Sequence, residues 1–151
     1  MPRLDNAIDV NAAPETVFTY VSSVAAQAEW VKWAKSVEVL SSEPGGVGST
    51  DAMVMQVGPR KENVEGIITA YKDGQFIGRR LTRGMSFTES LSLVGFGSST
   101  KVAWSVEYTP PMGALGLAMD VIFMARLFDQ LMKDSLVILK ERLEAPAVDG
   151  R

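Results

Sequence analysis

The two side chains that carry most acid–base, nucleophilic and metal chemistry are missing: the chain holds no histidine and no cysteine. Their absence removes every Ser-His or Cys-His mechanism, thiolate ligation and disulfides. Among the groups that remain, carboxylates on strands are the acid–base candidates. Glu65, Glu89, Arg79 and Arg80 lie in alternating stretches that can turn some of them inward. Glu89 is the most informative, because it alternates with Phe87, Leu91 and Leu93. A strand would place it on an apolar face, where a carboxyl is harder to ionise and can serve as acid or base. Arg80, which alternates with Gly78 and Thr82, is the expected partner. The reading preferred on energetic grounds is plainer: Glu89 reaches water near a strand end, since burial without a partner costs too much.

The apolar candidates are Met53, Met55, Phe87, Trp104, Met119, Phe123 and Leu127, read as walls of a ligand cavity. Taken singly, each is more readily a core residue. As a group they point further, because eight methionines are many for this length and a thioether adapts to varied apolar ligands. Trp30 and Trp33 stand next to the glycine-rich stretch 44–48 in the expected layout, where a tryptophan can form a lip at a cavity mouth. The alternative is a structural anchor, which is the reading for Trp33, while Trp30 stays open between the two. Asp120 breaks an apolar run and is read as its one solvated position. No G-x-S-x-G elbow, phosphate-binding glycine loop, EF-hand loop or metal-ligand spacing occurs, so neither a metal nor a cofactor is expected.

The elements that must position these residues follow from periodicity. Short strands are expected over 4–10, 36–40, 50–57, 63–71, 76–82, 87–94 and 101–108. The separators of the later strands are short and rich in turn formers, which implies antiparallel hairpins. A helix opens at Pro14, where the missing N–H is not needed, and a second short one is expected over 25–33. Stretch 113–143 is the longest without proline and would make a helix about 45 Å long. From Phe128 it is amphipathic, with Leu131, Met132, Leu136, Leu139 and Leu143 at helical spacing. From Leu115 to Ala125 only Gly116 and Asp120 interrupt a run that is apolar nearly all round. A curled sheet with this helix as its cover leaves room for a ligand between them.

With 151 residues, 46% of them apolar, the chain suits one domain over 1–151 with a frayed tail over 145–151. A net charge of −3 argues against nucleic acid. The opening MPRLDNAIDV has no apolar core of signal-peptide length, and Asp120 and Arg126 interrupt the apolar run, so no transmembrane segment and a cytoplasmic location are expected.

Four pieces together resemble the START-like superfamily, the SRPBCC or helix-grip fold, and within it the polyketide cyclase/dehydrase-like group. They are AIDVNAAPETVFTYVSS at 7–23, WVKWAKSVEVL at 30–40, GSSTKVAWSVEYTPP at 97–111 and LKERLE at 139–144, in the family's order. The resemblance implies an α+β fold: a curved antiparallel sheet of about seven strands wrapped on a long C-terminal helix. It also implies a mostly apolar cavity for a lipid, a polyketide or a similar molecule, and it transfers no catalytic residue. The first expectation is therefore hydrophobic small-molecule binding. The second is a cofactor-independent cyclase or dehydratase using a carboxylate such as Glu89. The third is an interaction module, docking the apolar half of the long helix onto a membrane surface or a partner subunit, with a homodimer among the candidates.

Overall fold

The computed structural model describes residues 3–41, 46–109 and 118–145, with 118–120 as backbone only. Seven strands form one sheet: β1 (Arg3–Val10), β2 (Ala34–Val39), β3 (Thr50–Val57), β4 (Arg60–Lys72), β5 (Phe76–Arg83), β6 (Phe87–Phe96) and β7 (Ser99–Tyr108). Their order is β1-β7-β6-β5-β4-β3-β2, every pair antiparallel. β2 to β7 are thus a meander, and β1 returns to pair along β7. The turns carry the residues their geometry requires, as at Gly74, whose φ of 78° is left-handed.

Alternation sets the faces. In β7 the side chains of Thr100, Val102, Trp104, Val106 and Tyr108 are buried, and those between them face outward. β3 repeats this with Asp51, Met53, Met55 and Val57. The inward rows line the concave side of the curled sheet. Helix α1 (Pro14–Val21) covers one part with Val17, Phe18 and Val21. Its start follows from Pro14 at the first turn and Glu15 beside the positive helix end.

The second helix is shorter than the expected 25–33. α2 spans Gln27–Trp30 and stops because Val31 turns extended, with φ −85° and ψ 117°. The last helix, α3 (Ala118–Glu144), covers the rest of the concave side. Its expected beginning at 113–117 lies outside the described residues. Phe128, Met132, Leu136 and Leu139 are buried on its inner face. Polar links fix its second half against the sheet: Asn6 Nδ2 donates to Asp129 Oδ1 at 2.8 Å, and Lys140 Nζ to the Asp9 carbonyl at 2.8 Å. The Lys32 amide donates to Ser135 Oγ at 2.8 Å, tying α3 to the connection after α2. Among the described residues no helix is long and apolar enough to cross a membrane.

Candidate functional site

A charged row crosses the middle of the concave face. Asp51 on β3, Arg79 on β5 and Glu89 on β6 all point inward, each no more than 4% exposed. Arg79 donates from Nε to Asp51 Oδ2 at 3.0 Å, from Nη2 to Asp51 Oδ1 at 2.5 Å and from Nη1 to Glu89 Oε2 at 3.1 Å. Trp104 Nε1 on β7 donates to the other Glu89 oxygen at 3.0 Å. Burial disfavours the Arg79 charge, but the two carboxylates outweigh it and hold the guanidinium above its ordinary range. The strand between, β4, makes room: a Cβ on Gly66 would stand 2.5 Å from Arg79 Nη2.

This row corrects two expectations. Glu89 does not reach solvent near a strand end. It sits in the inward row Phe87, Glu89, Leu91 and Leu93, and its burial is sustained by two donors. Its partner is Arg79 and not Arg80. The inward phase of β5 is set by Ile77 and Leu81, which puts Arg79 inside, and Arg80 is exposed. Glu65 also faces outward and pairs with Arg83 at 3.6 Å across exposed surface.

Next to the charged row lies an aromatic cluster. Trp104 meets Trp30 at 5.2 Å and Trp33 at 5.1 Å between ring centroids. Trp33 also meets Phe128 at 5.3 Å, and Tyr108 meets Phe128 at 4.6 Å. Both Trp30 and Trp33 are 1% exposed, so neither forms a lip at a mouth. Their indoles fill the space between α2, the sheet and α3.

Beyond Phe128, under the N-terminal half of α3, the filling is incomplete. A gap of about 10 Å³ is lined by Met55, Val57, Arg60, Glu62, Met85, Met124 and Phe128. Above it the apolar half of α3 turns large side chains outward: Ile122 is 52% and Phe123 65% exposed. Phe123 is therefore not a wall of the interior, contrary to expectation. Leu127 is half-buried over the β3–β4 turn, where a Cβ on Gly58 would stand 3.0 Å from its Cδ2. Met53, Met55, Phe87 and Trp104 do point inward. The side chains of Met119 and Asp120 lie outside those described.

Sequence reasoning missed Asp51, Met85, Met124 and Tyr108 as site members. Asp51 had a signal, since it stands two residues before Met53 and shares its face. Met85 had none, because it lies between strands where alternation does not apply. A separate recess of about 350 Å³ opens at the corner between α1 and α2, lined among others by Ser22, Ser23, Thr50 and Asp51. Three buried side-chain atoms have no hydrogen-bond partner among the described residues: Gln27 Oε1, Trp30 Nε1 and the Tyr108 hydroxyl.

This architecture has close structural counterparts. Protein TTHA0849 from Thermus thermophilus superposes with a TM-score of 0.83 at 17% identity, covering 97% of this chain and 99% of that one. The Zhui aromatase/cyclase from a Streptomyces species gives a TM-score of 0.82 at 13% identity, covering 99% of both chains. A START superfamily protein from Mycobacterium smegmatis gives 0.75 at 16% identity, covering 94% of this chain and 97% of its own. At these identities the likeness shows the fold alone, the START or helix-grip fold. No curated protein matches in sequence. The family described as polyketide cyclase / dehydrase and lipid transport matches residues 1–144. On that match over nearly its whole length, the chain belongs to the polyketide cyclase / dehydrase and lipid transport family.

Proposed function

We propose that the protein binds an apolar small molecule between the concave face of the sheet and the N-terminal half of α3. The observation that carries this reading is the gap walled by Met55, Met85 and Met124 against Phe128. Ligand cavities commonly measure about 300–1,000 Å³, so a gap of about 10 Å³ has to widen to admit one. Three unbranched thioethers can change rotamer at low cost and let it do so. α3 supports the same motion. Its second half is anchored by Phe128, Met132, Leu136 and Leu139, whereas Ile122 and Phe123 before them stay exposed. Binding would draw on burial of apolar ligand surface, at roughly 25 cal/mol per Å².

The arrangement of Glu89 favours binding over acid–base catalysis. A cyclase or dehydratase needs a carboxyl free to exchange a proton with its substrate. Here one Glu89 oxygen accepts from Arg79 and the other from Trp104. Native mass spectrometry of freshly purified protein, joined with equilibrium dialysis against 2-ethylnaphthalene, tests the proposal. Saturable uptake is expected, and Met124→Trp, which fills the gap, should weaken it by about tenfold or more. Protein that is empty as purified and takes up no probe would overturn the reading.

A further inference from the structure

Tyr108 ends β7 with its side chain fully buried, and its hydroxyl has no hydrogen-bond partner among the described residues. It stands opposite Phe87 in the β6–β7 register, and its ring lies 4.6 Å from that of Phe128. Phe128 is a wall of the gap beneath α3, and so is Met85, two residues before Phe87. Tyr108 does not itself line the gap; its ring packs behind Phe128, one side chain away, on the side towards which the gap would have to widen inward. A buried donor without an acceptor costs free energy that the fold does not recover. An internal water would itself need two or more polar partners, and neither Phe128 nor the register partner Phe87 offers one. Of the other two unpartnered atoms, Trp30 Nε1 belongs to a ring packed on Trp104 rather than on Phe128, and Gln27 Oε1 is an acceptor on α2.

We propose that the Tyr108 hydroxyl is the interior hydrogen-bonding anchor of the site, selecting apolar molecules that carry an acceptor oxygen at their buried end, such as a ketone or an ester. This rests on the ligand-binding reading above. Burial raises the phenol above its ordinary range, so at neutral pH it keeps its proton and donates. Arg60 and Glu62 stand on the gap lining at the β3–β4 side, with Arg60 exposed. The ligand is thereby oriented: its acceptor faces β7, its apolar body lies along the methionines, and its far end meets the charged rim.

A matched pair of probes separates the two proposals. 2-Acetylnaphthalene and 2-ethylnaphthalene have nearly the same shape and differ by one carbonyl oxygen. In equilibrium dialysis the wild-type protein should bind the ketone about tenfold more tightly. Tyr108→Phe should abolish that preference while leaving 2-ethylnaphthalene binding within about twofold. If both probes bind the wild type equally, or Tyr108→Phe keeps the preference, the anchor is overturned and the ligand site stands. If neither probe binds, the ligand site fails and the anchor with it. Urea unfolding of ligand-free Tyr108→Phe adds an independent readout. A midpoint equal to or above wild type is expected, because no bond is lost; a clearly lower one would reveal an internal partner and overturn the proposal.

Discussion

Arg79 holds together what would otherwise be two buried like charges. Its guanidinium has five N–H donors in a rigid plane, and three of its nitrogens are used on Asp51 and Glu89. Lysine could not span both carboxylates in that geometry. Replacing Arg79 by methionine should therefore destabilise the fold by about 3–5 kcal/mol, the scale for breaking a buried pair on one side. Urea unfolding measures it, and adding Asp51→Asn and Glu89→Gln to the same chain should restore part of the loss. A second residue-scale prediction concerns alkaline pH. Burial, and then the hydrogen bond to Glu29, raise the Tyr20 phenol from 10.0 to about 12. The folded state thus favours the neutral phenol. Its contribution to stability is complete below pH 10 and disappears as pH rises towards about 12. Urea midpoints between about pH 9 and 11.5 should fall more steeply in wild type than in Tyr20→Phe, and equal slopes would refute the assignment.

At the scale of elements, α3 is two helices in energetic terms. From Phe128 onward a buried residue recurs every three or four positions, and Asp129, Ser135 and Lys140 make polar contacts to β1 and to the connection after α2. Before Phe128 the described side chains are half-buried or exposed, although the sequence there is the more apolar. A helix segment with few buried contacts opens at lower free energy. Amide hydrogen exchange should consequently be faster over 121–126 than over 128–143 in ligand-free protein. Uniform protection along α3 would contradict both the division and the opening motion assigned to it. The strands show the opposite economy. The glycine at 66 leaves β4 without a side chain on the inner face at the one place where the guanidinium crosses it.

For the whole molecule, the curled sheet encloses three zones between itself and its helices: the charged row, the aromatic cluster and the methionine-walled gap. The aromatic cluster is filled, the charged row borders the recess of about 350 Å³ beside Asp51, and the methionine wall leaves a gap of about 10 Å³. A ligand entering only the folded state would stabilise the chain by mass action, about 2.7 kcal/mol at a hundredfold excess over Kd. Because the gap lies under the weaker half of α3, that gain should appear as slowed exchange over 121–126, beyond any rise in the global unfolding midpoint.

The element order, the strand meander and the covering role of the last helix were legible because they follow from local periodicity and turn chemistry, as in the alternation from Val102 to Tyr108 and the helical spacing from Phe128 to Leu143. Aliphatic and aromatic members of the inward rows were legible for the same reason. The sequence also excluded histidine and cysteine chemistry outright. Which arginine pairs with Glu89 was decided only by tertiary structure. Two adjacent arginines on a strand point to opposite faces, and the phase is set by what Ile77 and Leu81 pack against. The cost of burying Glu89 likewise depends on Arg79 and Trp104, which arrive from neighbouring strands. Whether Phe123 faces inward depends on where α3 crosses the sheet. Periodicity names a face of a helix, but contact with distant strands determines which face is covered.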